Sequence, residues 1–455
     1  MNETRTLCEF AAKLSYDKLP QNVIDMAKKC LIDYIGVAAF ASQTEMGQIM
    51  SKVGKRNNVG SCTILPGTEH KYAPNMAAFV NGTFGHGFEL DDINSATATH
   101  PGCEICSAAV AMAEECGADG KTLIEAIVVG YEVMVRCIRP FAKHHLDKGF
   151  HPTATGGTFG ATAACCKVLG LNAAQFENAL GIAGTFTSGI KQFTHYGSMS
   201  KRLHGGKGGY DGAEIAQLAK EGFTGPSEIF EGKTGFNRVF CDSDYAADFS
   251  LLTDGLGEIY AIEDITVKPC PACGVIHSVI DCLDDISKEP GFSKNFDAIE
   301  KIVVKSHHNM IGQHMLYEPK TVMQGQYSCP FTVGVYMEGE VRDAKQYLDD
   351  GIIKNPAILR WGEKVTAELD EEMDNAFPAR FGSKVDVVLA DGRTLHAEYP
   401  TPKGSGERQF TYDEVENKYM ILTQSLFSEA MQKDVASKVR QLEKLENVRD
   451  LFVEA

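Results

Sequence analysis

The chain has 455 residues, 44% of them hydrophobic, and carries 14 cysteines and a formal net charge of -17. A single core rarely grows past roughly 250 to 300 residues, so two domains are expected, and the acidic balance excludes a nucleic-acid partner, which needs Lys and Arg to neutralise phosphates. Met1 to Leu14 lacks a basic segment followed by an apolar run, and no stretch approaches the roughly 20 apolar residues of a membrane span, so the expectation is a soluble, cytoplasmic protein with no membrane partner.

From Val23 to Ala41 the apolar residues Val23, Met26, Ala27, Cys30, Leu31, Tyr34 and Ile35 recur at spacings of three and four, which predicts a helix with one buried face. Leu123 to Val135 and Ala174 to Ala183 repeat that pattern, and Asn172 with Gln175 three residues on predicts a capping box for the latter. Glycines are dense from Gly156 to Gly212; in so helical a region they point to close helix contacts and tight turns. The cysteines, among them Cys30, Cys137 and the adjacent Cys165 and Cys166, sit in apolar contexts and read as packed free thiols.

Around Tyr260 the pattern changes. Ile302 to Val304, the alternating Val365 to Asp370, and Val385 to Leu389 joined to Leu395 to Tyr399 through Asp391-Gly392 predict strands and a hairpin. Lys268 to Ile286 and Pro319 to Met337 are the expected helices beside them, and the box Thr411 to Glu414 opens a helix toward Ser428, followed by a helical tail. The expected fold is mostly α with an α+β lid. An all-helical large domain, residues 1–258 with 410–455 returning to it, is followed by a smaller α+β domain, residues 259–409, inserted before the C-terminal helices.

Four segments place ionisable residues in apolar or glycine-rich surroundings. The first is His86-Gly-Phe-Glu89-Leu-Asp91-Asp92, continuing to His100-Pro101-Gly102; carboxylates so close repel one another unless they serve a cation, a buried network or proton transfer. The second, His151-Pro-Thr153-Ala-Thr155-Gly-Gly-Thr158, precedes a helix whose N-terminal N–H groups suit a carboxylate. The third, Lys201-Arg202-Leu-His204-Gly-Gly-Lys207, is a dense cationic cluster in an acidic protein, and the fourth is Lys268-Pro-Cys270-Pro-Ala-Cys273-Gly-Val-Ile-His277. Each has a plain structural reading: a solvated acidic turn, core histidines, a basic surface patch, a strand-end lysine. Zinc is the chemical rival, through His100-x-x-Cys103-x-x-Cys106 or Cys270-x-x-Cys273 with His277, but Cys103 and Cys106 open an apolar helix and the CxxC has no second copy. The string Gly205-Gly206-Lys207-Gly208-Gly209 lacks the phosphate-loop order and follows no strand.

Together the four segments resemble the MmgE/PrpD family, which contains 2-methylcitrate dehydratase, cis-aconitate decarboxylase and iminodisuccinate epimerase. The motifs run in order over nearly the whole chain: H-G-F-E-L-D-D and H-P-G, then H-P-T-A-T-G-G-T-F-G, K-R-L-H-G-G and K-P-C-P-A-C-G-V-I-H. The resemblance implies a homodimer and an active site in the cleft between a helical domain and a lid, with no metal and no cofactor. It implies roles for Glu89, Asp92, His100, His151, Lys201, His204 and Lys268, with Arg202, Thr153 and His277 as further substrate-binding candidates. Members often have Thr then His or Trp where Ile93-Asn94 stands here, and some carry Arg in place of Gly274. Both departures fall where the substrate would be read.

The expected chemistry follows from a weakly acidic C–H beside a carboxylate of a small anionic polycarboxylate. Its removal concentrates charge that Lys201, Lys268 and Arg202 would stabilise. His100 or His151 would move the proton, and Glu89 and Asp92 would orient a histidine or protonate a departing hydroxyl. Dehydration of a 2-methylcitrate-like hydroxy acid is the favoured outcome, with cis-aconitate-type decarboxylation and imino-diacid epimerisation as alternatives. A zinc hydrolase and a non-catalytic helical scaffold are the readings from other classes.

Overall fold

The computed structural model describes residues 2–57, 59–242 and 245–454. The chain divides into two compact units, Met1–Ile265 with Thr411–Ala455, and Thr266–Phe410. The architecture is mostly α with a small α+β region. Among the described residues, no helix is long and apolar enough to cross a membrane.

The first unit is built on long helices: Gln21–Ala41, Pro74–Gly85, Pro101–Cys116, Gly120–Ile138, Pro152–Val168, Ala173–Phe186 and Leu203–Lys220. The predicted periodicity of Val23 to Ala41 is realised, with Val23, Ala27, Leu31 and Ile35 all fully buried. Asn172 and Gln175 form the expected reciprocal cap. The glycines act as the helical context requires. A Cβ on Gly82 would stand 2.7 Å from the carbonyl oxygen of Gly205, and one on Gly205 would stand 2.6 Å from that of Gly82. The Pro74 and Leu203 helices therefore touch backbone to backbone, which no larger residue permits. The glycine string 205–209 lies inside the Leu203 helix and forms no phosphate loop.

The C-terminal segment belongs to this unit. Thr411 and Glu414 cap the helix Tyr412–Thr423 reciprocally, and Tyr419 packs where a Cβ on Gly36 would stand 3.1 Å from its Cα. The helix ends at Thr423, short of the expected Ser428, because Ser428 itself caps the next helix, Glu429–Arg440.

In the second unit the strand order is Val365–Leu369, Ile299–Ser306, Ser383–Leu389, Thr394–Tyr399. The first pair is parallel, with Ile302 opposite Val365, and the other two are antiparallel. The predicted hairpin is present, with Gly392 at φ +88 supplying the left-handed turn position. Two helix expectations here are corrected. Lys268 to Cys273 is not helical: Pro269 and Pro271 have no N–H to donate, so a single turn begins at Gly274 and the helix is His277–Ile286. Pro319 to Met337 is broken into Val322–Gln326 and Cys329–Glu338, because Ser328 caps a fresh start with Pro330 in its first turn.

Candidate functional site

The Pro74 helix ends at His86, and the acidic motif follows as a buried turn. Glu89 is 1% exposed and adopts φ +57, the left-handed region that costs a non-glycine residue roughly 1 kcal/mol or more. Its carboxylate is held by two cations, the Lys201 ammonium and the Arg202 guanidinium, both on Oε1. Arg202 also donates to the carbonyl of His86 at 3.1 Å. Two cations thus converge on one carboxylate oxygen in this buried triad.

Two further helices deliver histidines by the same device. His100 and His151 are the residues immediately preceding the Pro101 and Pro152 helices, each followed by proline in the first turn. Proline presets the helical φ where its missing N–H costs nothing, so His-Pro fixes where each imidazole leaves the helix end. Thr153 Oγ1 accepts from the backbone N–H of His100 at 3.2 Å, tying the two helix starts together.

The imidazoles form a row. Ring centroids are 5.0 Å apart for His86 and His100, 5.8 Å for His86 and His151, and 4.9 Å for His151 and His204. His100 Nδ1 lies 2.7 Å from the carbonyl oxygen of Asp92, which only accepts, so Nδ1 carries the proton and the basic lone pair of a neutral ring is on Nε2. Asp91 Oδ2 stands 2.5 Å from His86 Nδ1 and 3.4 Å from His100 Nδ1. Burial pushes the His151 imidazolium well below its ordinary pKa, with His204, His86, Lys201 and His100 adding repulsion. Burial likewise lowers His204 to about 3. Two neutral rings explain the 2.8 Å Nδ1–Nδ1 contact of His151 with His204, in which one donates and the other accepts. His86 is lowered by burial as well, against the opposing pull of Asp91.

Asp92 is fully buried, and burial raises its carboxyl to about 7; Tyr131 and the N–H of Gly102 pull it back down, while Asp33 and Asp91 push it up. Tyr131 donates to Oδ2 at 2.6 Å and Gly102 to Oδ1 at 2.9 Å. Removing the phenol in Tyr131→Phe should therefore move the Asp92 titration above 7. The protonated-carboxyl infrared band that is absent in Asp92→Asn reads this directly, and an unchanged midpoint would refute it.

Glu89, Asp92, His100, His151, Thr153, Lys201, Arg202 and His204 thus lie in the first unit around the starts of three helices. Glu89 faces cations, Asp92 reaches His100 through its backbone carbonyl, and the carboxylate set beside the histidines is that of Asp91. Asp91, His86 and Tyr131 join the candidate set. Asp91 and His86 were visible in the acidic motif, whereas Tyr131, inside an apolar helix, gave no signal. Lys207 turns away, to Asp211 and, at 2.8 Å, to the carbonyl of Phe186. Lys268 and His277 belong to the second unit, where both are buried and His277 Nε2 donates to the carbonyl of Ala272 at 3.0 Å.

Among the described residues, one set of three ligand-type groups gathers closely enough for a metal: His86, Asp91 and Cys103, within 4.8 Å of one another. The donors fit a cation poorly. Burial drives the Cys103 thiol well above its ordinary pKa, so it resists becoming the thiolate a metal needs, and Lys201 and Arg202 add their positive charges beside His86.

Behind the row, Glu104 of the Pro101 helix is fully buried, and among the described residues neither carboxyl oxygen has a hydrogen-bond partner. It presses on Gly157 of the Pro152 helix and on Gly208 of the Leu203 helix, where a Cβ would stand 2.6 Å from Oε1. Burial holds this carboxyl protonated, its pKa well above the ordinary value. A raised folded pKa contributes stability that is complete below the unfolded value of about 4.5 and is lost as pH climbs toward the folded one. Glu104→Gln removes that loss. Its stability relative to the native chain should grow by up to about 1.4 kcal/mol per pH unit above 4.5. Urea unfolding of both proteins at pH 5 and 7 tests this, and parallel pH curves would sink it.

The MmgE/PrpD N-terminal domain matches residues 5–248, and the MmgE/PrpD C-terminal domain matches residues 270–444. The chain belongs to the MmgE/PrpD family. It is similar to a cis-aconitate decarboxylase of Aspergillus terreus, 25% identical over 99% of this chain and 95% of the fungal protein. Cis-aconitate decarboxylases of Homo sapiens, 27% identical over 95% of this chain and 90% of the human protein, and of Mus musculus, 24% identical over 97% and 90%, are similar along the same span. As a member of this family the chain is an enzyme of dehydratase or decarboxylase type.

Proposed function

We propose that this enzyme is a lyase acting on a small unsaturated tricarboxylate of the cis-aconitate type and releasing carbon dioxide. The observation that carries this reading is the buried triad in which Lys201 and Arg202 converge on Glu89, beside His151 held neutral by burial. Near full-length similarity to proteins named cis-aconitate decarboxylases supports the substrate class.

Loss of carbon dioxide breaks a carbon–carbon bond and leaves an electron pair that spreads through the adjacent double bond onto a neighbouring carboxylate. Lys201 and Arg202 stabilise that charge. Lys268, in the K-P-C-P-A-C-G-V-I-H segment, takes the same electrostatic role, with Thr153, His204 and His277 binding the substrate. His100, whose Nδ1 faces both the Asp92 carbonyl and Asp91, delivers a proton from Nε2 to the allylic carbon as an imidazolium. With His204 donating to its Nδ1, His151 presents Nε2–H to the growing negative charge.

The opposite tautomer makes His151 Nε2 a base, and this favours a second reading: α-proton abstraction and loss of water from a 2-methylcitrate-like hydroxy acid. Incubation with cis-aconitate, citrate and 2-methylcitrate in heavy water, followed by proton NMR, separates the two. Decarboxylation places one deuterium on the allylic carbon of a five-carbon product, and dehydration yields an alkene that retains all carboxylates. A protein inert to all three, with no exchange into any of them, would end the reading. A homodimer and a cytoplasmic location complete it. Exposed Ile190, Tyr196 and Met199 supply apolar surface for a second copy, and sedimentation of a monomer alone would count against the dimer.

A further inference from the structure

We propose that Lys418, in the helix Tyr412–Thr423 and outside the four ionisable segments, is a positioning residue that holds Glu89 in place for Lys201 and Arg202. Its Nζ donates to the carbonyl oxygen of Leu90 at 2.9 Å and stands 2.6 Å from Asp33 Oδ1. Leu90 and Asp33 are each 2% exposed. One ammonium thus ties together the helix Tyr412–Thr423, the helix Gln21–Ala41 and the buried acidic turn.

The turn needs such an anchor. A non-glycine residue keeps a left-handed backbone only where its surroundings over-determine it, and Glu89 sits at φ +57. Its side chain is fixed by Lys201 and Arg202, the carbonyl of His86 before it by Arg202, and the carbonyl of Leu90 after it by Lys418. Without the ammonium, a buried carbonyl loses a charged donor. The 90–91 peptide, released from Lys418, can then rotate and let Glu89 relax to the extended conformation, which swings the Glu89 carboxylate away from the two cations. The helix Tyr412–Thr423 therefore sets the geometry of a charge cluster more than three hundred residues earlier in the chain.

This role rests on the proposed lyase reading, and two readouts keep the two apart. In Lys418→Met, kcat should fall about tenfold or more, as small misplacements of catalytic groups do, with KM changed less than about threefold. Lys418→Arg should restore most of the rate, and Asp33→Asn, which leaves the Leu90 contact in place, should stay near the native rate. In crystals of Lys418→Met, Glu89 should leave the positive-φ region. Where Lys418→Met does not fold, the double variant Asp33→Asn, Lys418→Met, which carries no uncompensated carboxylate, is measured in its place. A Glu89 that keeps positive φ, or an Asp33→Asn as slow as Lys418→Met, overturns the assignment. A native chain inert to every polycarboxylate overturns the lyase reading alone, because the Glu89 backbone still decides the positioning role.

Discussion

Lys201→Met should lower kcat by about 100-fold or more while leaving the protein folded. The two halves of that expectation have one cause. Lys201 and Arg202 share a single oxygen of Glu89. Removing the lysine leaves a neutral Arg202–Glu89 pair, which the interior tolerates better than a lone charge. What disappears is one of the two positive charges proposed to act on a carboxylate whose charge grows during reaction. Steady-state turnover and a thermal melt monitored by circular dichroism measure both halves. A rate within about threefold of native would remove Lys201 from the reacting groups. Glu89→Gln, by contrast, leaves two buried cations on a neutral amide and should cost stability, since an uncompensated buried charge costs about 3 to 5 kcal/mol.

Much of the fold was legible because the signals were local. The three- and four-residue spacing of Val23 to Ala41, the Asn172 and Thr411 caps and the Asp391-Gly392 hairpin each depend on a few neighbours in sequence, and each is present. The helix expected from Lys268 starts later because Pro269 and Pro271 offer no N–H, and that expected from Pro319 is broken because Ser328 caps a new start. In the site, the His-Pro pairs and the Lys201-Arg202 pair announced themselves by chemistry in unusual company. Partner choice was less visible. Nothing in H-G-F-E-L-D-D says that Glu89 faces cations while Asp91 takes the imidazoles, because that depends on the left-handed turn at Glu89. Tyr131 and Glu104 were hidden for a different reason: each lies in a buried helix, and what marks them is a three-dimensional neighbour, Asp92 for the phenol and Gly157 with Gly208 for the carboxyl.

His151→Ala should likewise reduce turnover about 100-fold or more, and its pH dependence carries a sign that can be fixed in advance. The folded pKa of His151 lies well below the ordinary 6.5, chiefly through burial and then through His204. A lowered histidine destabilises the fold as pH falls through the unfolded value, because the unfolded chain takes up a proton that the buried ring refuses. His151→Ala should therefore lose less stability than the native chain between pH 7 and 5. For catalysis the neutral ring is the working form: protonation ends its acceptor role toward His204 if His151 is the N–H donor to substrate, and ends its basicity if it is the base. The native acid limb should then lie well below the ordinary histidine value, and His204→Ala, which removes a neighbour that depresses His151, should move that limb upward in pH. A limb that stays fixed when His204 is removed would assign it to another group, with His100 the next imidazole in the row to test.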